Sequence, residues 1–172
     1  MPTPKIPDVL ATRLSEDLPA QAAFPWNRAK WEAEIHDVSD AGSVLRTLPD
    51  RLDRETVRGA VQANLSRDRV LGAFVPVLIW GGPGGYGPFR ARRILTGVAT
   101  RGNTSAVVDD SIRDRLLSGA ERARQAGAAE GFRFMNNEGK INYLGGAFFT
   151  KWLAFLLNDQ RSRRSRGCSH PR

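Results

Sequence analysis

The stretch that most constrains the fold lies near the C-terminus, where two glycines precede an apolar segment that contains a single lysine. Residues 142–155 read NYLGGAFFTKWLAF. Apolar residues follow the glycine pair at three- and four-residue spacings, which predicts a hairpin leading into a largely buried helix. The apolar positions with this spacing are Leu144, Phe148, Phe149, Trp152, Phe155 and Leu156. We therefore expect the rest of the chain to pack around this helix.

Lys151 stands on the first turns of the predicted helix, with almost no other charge nearby. One interpretation is an ordinary surface lysine, whose methylene chain covers apolar surface while its amine reaches water. The other is an amine held at the edge of an apolar pocket, where desolvation favours the uncharged, nucleophilic form. The sequence pattern by itself leaves both interpretations open.

The composition favours one hydrophobic core and an anionic partner. The chain has 172 residues, of which 41% are hydrophobic, and a formal net charge of +8. The positive charge comes mainly from arginine, because the only lysines are Lys5, Lys30, Lys140 and Lys151. Guanidinium groups bind phosphate in a bidentate manner, so the excess favours nucleic acid. The alternative is a soluble protein whose arginine content reflects an arginine-rich coding background.

Cysteine and histidine usage excludes several kinds of site. The lone cysteine, Cys168, excludes a disulfide framework and a cysteine zinc site. The two histidines, His36 and His170, are far apart and form no metal motif. The N-terminus has no apolar signal segment, and runs such as residues 73–80 are too short to span a bilayer. We expect a cytoplasmic monomer with no metal, no cofactor and no membrane contact.

The first half of the chain shows helical patterns after a proline-rich beginning. Five prolines among the first 25 residues indicate an extended segment with at most one short helix, around residues 10–16. Further helices are predicted over residues 26–35, from Asp53 as N-cap to residue 65, and from Ser66 as N-cap to residue 79. Pro76 is expected to kink the last of these.

The second half also reads as helical. Pro88 suits the first position of a helix over residues 89–95, and residues 107–126 form the next predicted helix. Residues 132–135 are expected to form only a short turn before the hairpin. No strongly alternating strand pattern occurs. The predicted fold class is therefore all-α.

We predict three parts in the chain. Residues 1–42 form a proline-rich lead-in with an aromatic helix, and residues 43–158 form the main helical domain. Residues 159–172 are rich in arginine and poor in apolar residues, which predicts a basic disordered tail.

A competing motif occurs in the glycine-rich segment after residue 80. Gly82, Gly84 and Gly87 satisfy the dinucleotide-binding pattern Gly-x-Gly-x-x-Gly, and Asp109 or Asp110 falls near the position of a ribose-binding acid. This interpretation needs residues 74–80 to be a strand. Pro76 inside that segment and Pro83 inside the loop weaken the dinucleotide interpretation. The lack of further strands for a sheet weakens it as well.

The segment 144–151, LGGAFFTK, resembles the helix-hairpin-helix signature of the 8-oxoguanine DNA glycosylases. In that family a hairpin binds DNA phosphate, and a following Thr-Lys supplies the amine that attacks the sugar. The chain is more narrowly similar to the short bacterial branch of the family, at Ala73-Phe74, at Trp80-Gly81 and at residues 86–90. The similarity covers roughly residues 60–157 and implies a helix-hairpin-helix glycosylase-like helical domain.

The resemblance implies a DNA N-glycosylase with an AP-lyase step, which excises oxidised guanine from a damaged duplex in base excision repair. Lys151 would be the nucleophile that forms the Schiff base. The implied DNA-binding residues are Leu144, Gly145, Gly146, Ala147, Thr150, Arg90, Arg92 and Arg93. The implied pocket for a flipped base is lined by Trp80, Tyr86, Phe89 and Trp152.

The family also uses an aspartate at the start of the helix beyond the one that carries the lysine. The only carboxylate in residues 158–172 is Asp159, which makes it the candidate catalytic acid. It follows Lys151 by about two helical turns and comes earlier than the family's pattern places its acid. A catalytically inactive relative that binds nucleic acid, as an accessory of a defence system, is therefore the alternative.

Overall fold

The predicted all-α fold is confirmed. A computed structural model describes residues 21–38, 40–81, 87–99 and 107–166, with side chains up to residue 157. The helices in these ranges are α1 (Arg28–Ile35), α2 (Ala41–Thr47), α3 (Arg54–Leu65), α4 (Val70–Trp80), α5 (Pro88–Thr96), α6 (Ser111–Ala126), α7 (Ala128–Asn136) and α8 (Gly146–Arg166).

Two short strands form a two-stranded sheet. Strand β1 (Phe24–Pro25) pairs antiparallel with β2 (Arg51–Leu52). The backbone N–H of Trp26 extends this pairing by donating to the Asp50 carbonyl at 3.3 Å. The strands join the segment before α1 to the turn between α2 and α3.

Helix α4 is the most buried element of the fold. Every residue from Val70 to Ile79 is buried, as its continuous apolar sequence requires. Helix α8 packs against α4, α6 and α7. At the contact between α4 and α8, the rings of Phe74 and Trp152 meet edge to face with centroids 5.6 Å apart. The predicted central role of the C-terminal helix follows from these contacts.

Two helix-start predictions are confirmed by their capping geometry. The Asp53 carboxylate accepts a hydrogen bond from the Thr56 N–H at 2.8 Å and caps α3. Pro88 occupies the first turn of α5, where its missing N–H costs no helical hydrogen bond. The helix predicted over residues 26–35 begins two residues later, at Arg28, because Asn27 is its N-cap.

Ser66 was predicted to begin the next helix, and this prediction is wrong. Ser66 is the C-cap of α3, and its hydroxyl donates to the Ala63 carbonyl at 3.1 Å. The chain then turns through Asp68, which has a left-handed φ of 58°, before α4 begins at Val70. A local side-chain hydrogen bond back to the helix therefore ends α3, where the sequence suggested a start.

Two boundaries in the second half also differ from prediction. Residues 132–135 belong to α7, because Gly127, with φ of 94°, interrupts the helical backbone at a single position only. Residues 107–110 lie outside α6. The Asp109 carboxylate accepts from the Ser111 N–H at 2.9 Å and fixes a turn just before that helix.

The dinucleotide interpretation loses its first strand. Residues 74–80 belong to helix α4, so the apolar run before the glycines is not the strand that a dinucleotide-binding unit needs. Gly82 and Gly84 lie outside the described residues. Val107 and Val108, which directly precede Asp109, have no strand pairing.

The ends of the chain are described only in part. The backbone of α8 is helical through Arg166 and so continues past residue 159, where the sequence predicts a disordered tail. The short helix predicted around residues 10–16 lies outside the described residues, and the division into three parts stays a prediction. No helix in the described ranges is long and apolar enough to cross a membrane.

An ion pair joins α5 to the segment after α1. Arg92 is only 6% exposed, and its guanidinium donates to the Asp37 carboxylate and to the Glu34 carbonyl, the latter at 3.2 Å. Burial alone would raise the pKa of Asp37. The hydrogen bond and the positive charge of Arg92 outweigh this effect, so the pKa of Asp37 lies below its ordinary value.

This lowered pKa predicts an acid-sensitive contribution to stability. The pair stabilises the fold fully above the unfolded-state pKa of about 4, and the contribution is lost as the pH falls through the lower folded-state pKa. We expect Asp37→Asn to lower the free energy of unfolding by about 1–2 kcal/mol at pH 7, because solvent screens the partly exposed carboxylate. Urea unfolding of both proteins at pH 7, 5 and 3 measures the difference, which should shrink toward pH 3. Asp50→Asn, which alters the exposed Asp50–Arg28 pair, is the control. A difference of equal size at every pH would contradict the prediction.

Candidate functional site

The hairpin between α7 and α8 brings the glycine pair to the start of the apolar helix. Leu144 is buried and its N–H donates to the Ile141 carbonyl at 3.2 Å. Tyr143 adopts a left-handed φ of 65° and turns the chain. The Gly145 carbonyl accepts from the N–H groups of Phe148 and Phe149 at 3.0 and 3.3 Å, so α8 begins directly after Gly145.

The first turn of α8 has the properties of an anion site. It contains no carboxylate. Within the described part of the chain, the N–H groups of Gly146 and Ala147 have no hydrogen-bond acceptor. Gly145 and Ala147 are exposed. Free N–H groups and the positive end of the helix dipole attract phosphate.

Two of the predicted DNA-binding residues in this segment have internal roles. The Leu144 side chain belongs to the core and anchors the hairpin. The Thr150 hydroxyl donates to the Gly146 carbonyl at 2.7 Å, so its proton is used within α8. Any phosphate contact at this end therefore depends on backbone N–H groups more than on side chains.

Lys151 lies against the C-terminal end of α4. The side chain is half-buried, and Nζ donates to the Gly81 carbonyl at 3.1 Å. The same Nζ lies 4.6 Å from the centre of the Phe148 ring and 5.6 Å from the centre of the Trp80 ring. Ring faces and helix C-terminal carbonyls both carry partial negative charge. Lys151 is therefore held by a backbone carbonyl and two rings and is not a freely solvated lysine.

The backbone of Gly81 comes very close to Phe148. A Cβ atom at position 81 would lie 2.1 Å from Cε1 of the Phe148 ring. Only glycine permits this approach at the end of α4. The contact brings the last residues of α4 and the first turn of α8 together around the lysine amine.

The three arginines of α5 lie in different surroundings. Arg90 is exposed, whereas Arg92 is buried against the segment after α1. The Arg93 guanidinium lies over the Tyr143 ring at 4.2 Å and over the Phe89 ring at 5.8 Å. Arg93 therefore joins α5 to the hairpin. Arg92 is assigned to internal packing, because its guanidinium is held by Asp37 and does not face a phosphate.

The four aromatic residues predicted to line a base pocket do not gather in one place. Trp80 is half-buried beside Lys151, and Phe89 is half-buried beneath Arg93. Trp152 is fully buried, and its indole N–H donates to the Leu116 carbonyl at 3.1 Å. It is a core residue that a base cannot reach in this conformation. Tyr86 lies outside the described residues.

No carboxylate whose side chain the structure describes forms an ion pair with Lys151. The Asp159 side chain lies outside that part. Its backbone follows Lys151 along one continuous helix. A separation of eight residues corresponds to about 12 Å along an α-helix. The Cβ atoms of Lys151 and Asp159 are therefore not in contact. The role of Asp159 as acid stays a prediction.

Two residues of this site were not predicted from the sequence as functional. Phe148 was assigned to the core from its helical spacing, but its ring is only half-buried and its centre lies 4.6 Å from the Lys151 amine. Gly81 contributes a backbone carbonyl, which no side-chain pattern reveals. The only signal for Gly81 was its place in the Trp80-Gly81 pair that resembles the glycosylases.

Two cavities lie on the surface of α3, away from Lys151. One has a volume of about 610 Å³ and is bordered by Gln62, Arg124 and Phe155 among others. The other, of about 370 Å³, is bordered by Thr47 and Arg67 among others. Neither cavity is lined by Lys151, Trp80 or Phe148. The candidate site is therefore defined by the contacts of the Lys151 amine and not by a cavity. No cluster of metal-binding side chains occurs among the described residues.

Helices α7 and α8 and the hairpin between them form a helix-hairpin-helix unit, and the all-α domain that contains it is of the DNA glycosylase-like class. A model of the family described as "Putative 8-oxoguanine DNA glycosylase OGG-like protein" matches residues 17–168. The chain belongs to this family, and the resemblance seen in the sequence is confirmed. A search of curated proteins and a search of solved structures each gave no match.

Proposed function

We propose that this protein is a DNA glycosylase that excises oxidised guanine from duplex DNA through a Schiff base on Lys151. The observation that carries the proposal is the half-buried Lys151 amine, which lies between two aromatic rings directly after a helix-hairpin-helix turn. An amine in that position would meet a nucleotide brought beside these two rings while the hairpin binds the backbone. Membership of a glycosylase family supports the same chemistry.

The first step is binding to the DNA backbone. The N–H groups of Gly146 and Ala147 would donate to one phosphate, in keeping with the unpaired donors at the start of α8. Arg90 and Arg93 would add positive charge from α5, next to the hairpin. Binding here fixes the position of the lesion relative to Lys151.

The second step is displacement of the base. The damaged nucleotide would leave the base stack and enter the space near Trp80 and Phe89, with Tyr86 as a further candidate. The neutral Lys151 amine, having given its proton to solvent, would attack C1′ of the sugar. The C1′–N9 bond breaks, and the base departs with the bonding electron pair and takes up a proton. Opening of the sugar ring then gives the Schiff base, from which β-elimination cleaves the strand.

The test is borohydride trapping on a duplex with a single 8-oxoguanine, beside the same duplex without the lesion. A covalent protein–DNA complex that forms only with the lesion supports a Schiff-base glycosylase. Quantified base release from the same samples reports the glycosylase step independently of the trap. Trapping on both duplexes alike would contradict lesion recognition.

A second candidate function is a catalytically inactive reader of nucleic acid, with a role as an accessory protein in a defence system. The observation that favours it is the lack of a carboxylate paired with Lys151 among the described side chains. This candidate predicts binding that weakens steeply with salt, with no base release and no trapped complex. Asp159→Asn separates the two candidates further, because loss of a catalytic acid would lower the trapping rate without changing DNA affinity.

A further inference from the structure

The contact between Lys151 and the end of α4 contains two residues with no assigned role. We propose that Gly81 and Phe148 are positioning residues, which hold the Lys151 amine in one orientation at the C-terminus of α4. The catalytic consequence of this inference rests on the proposed Schiff-base function. Its geometric part stands by itself and can be measured without DNA.

The end of α4 lacks a cation of its own. The last turn of α4 contains no basic residue, although helix C-terminal carbonyls attract positive charge. The Lys151 ammonium supplies that charge from α8, across 70 residues of sequence, through the hydrogen bond to the Gly81 carbonyl. One backbone acceptor thus fixes where the amine lies.

Phe148 fixes the direction from which the amine approaches. It precedes Lys151 by three residues on α8, so the two side chains share a helix face. Its ring lies 4.6 Å from Nζ, and the Trp80 ring lies on the same amine at 5.6 Å. A lysine side chain has many rotamers in water, and these contacts select a small part of them.

Gly81 determines where the Phe148 ring can lie. The ring occupies the space in which a Cβ at position 81 would be found, at 2.1 Å from Cε1. A side chain at position 81 therefore displaces the ring, and the displaced ring no longer covers the amine. Gly81, Phe148 and Lys151 form one chain of contacts, in which each member sets the position of the next.

The geometric part is tested by NMR of protein labelled with ¹³C-lysine. The chain has four lysines, so the side-chain ε-CH₂ signals are few, and the missing signal in Lys151→Gln assigns Lys151. Ring currents from Phe148 and Trp80 should move the Lys151 ε-proton signals away from those of the exposed Lys30 and Lys140. Phe148→Leu should move them back toward the exposed lysines, and Phe148→Tyr should leave them in place.

The catalytic part is tested by the rate of single-turnover trapping and by DNA affinity, measured separately. We expect Phe148→Leu to lower the rate about tenfold or more, because the amine is no longer held near its attack position, with a Kd for DNA that stays within about twofold. Phe148→Tyr should restore the rate. A general loss of folding would lower rate and affinity together.

The outcomes separate this inference from the proposed function. A wild-type Lys151 signal at the position of the exposed lysines overturns the inference, as does a Phe148→Leu variant with unchanged signal and unchanged rate. A displaced Lys151 signal in a wild-type protein that never traps DNA refutes the proposed chemistry and leaves the positioning intact. Should Phe148→Leu not fold, Gly81→Ala replaces it in both measurements, with the same expected displacement of the signal.

Discussion

Replacing Lys151 by glutamine is expected to abolish the covalent complex with lesion-containing DNA while DNA binding stays close to that of the wild type. Glutamine keeps much of the side chain's length and can still donate a hydrogen bond toward the Gly81 carbonyl. Its amide nitrogen is not a nucleophile, so no Schiff base can form. The expected loss in trapping rate is on the order of 10³ or more, as when other catalytic nucleophiles are removed.

Lys140 provides a matched control for this variant. It is exposed, lies near the hairpin, and its replacement by glutamine removes the same single positive charge. The two variants should therefore have a similar Kd for DNA, and only Lys151→Gln should lose borohydride trapping. A Lys151→Gln protein that still forms the complex would show that another amine reacts. Loss of the complex in Lys140→Gln would show that charge, and not the position of one amine, determines trapping.

Replacing Trp152, the residue after Lys151, should mainly reduce the stability of the fold. We expect Trp152→Ala to lower the free energy of unfolding by about 3–5 kcal/mol, because a fully buried indole leaves a cavity that its neighbours fill only in part. The variant also loses the edge-to-face contact with Phe74 and the hydrogen bond to the Leu116 carbonyl. Such a loss is a large fraction of the stability of a domain of this size.

Urea unfolding followed by circular dichroism measures this loss, and Trp152→Phe is its control. Phenylalanine keeps most of the ring packing and forfeits the hydrogen bond, so a smaller loss of about 1–2 kcal/mol is expected. Lys151→Gln should change the midpoint little. If Trp152→Ala were as stable as Trp152→Phe, the indole could not be a central part of the core, and its assignment to a base pocket would regain support.

The helical fold was predictable because its signals are local. Asp53 and Pro88 begin helices through contacts within one turn, and the apolar spacing of α8 needs no knowledge of its partners. Ser66 was misassigned because a serine that follows a helix can bond backward to the carbonyl of Ala63 as readily as it can begin a new helix. The residue type alone does not determine whether the serine hydroxyl bonds to the helix before it or to the helix after it.

The candidate site was predictable only in part, because its partners are distant in sequence. Arg92 looked equivalent to its neighbours on a basic helix, yet Asp37, at a separation of 55 residues, holds it inside the protein. Lys151 was found from its local pattern, but the Gly81 carbonyl is a backbone atom with no sequence signature. Trp152 was placed in a pocket because aromatic type alone does not distinguish a core side chain from one that lines a cleft.

The hydrogen bond between Lys151 and Gly81 also makes the arrangement of the site dependent on the docking of α8 against α4. The amine and its acceptor are separated by 70 residues, so the contact exists only after α4 and α8 have docked. During translation α4 leaves the ribosome before α8, so the Lys151 amine has no fixed position until the two helices dock. An oriented Lys151 amine is therefore present only in molecules in which α4 and α8 have docked.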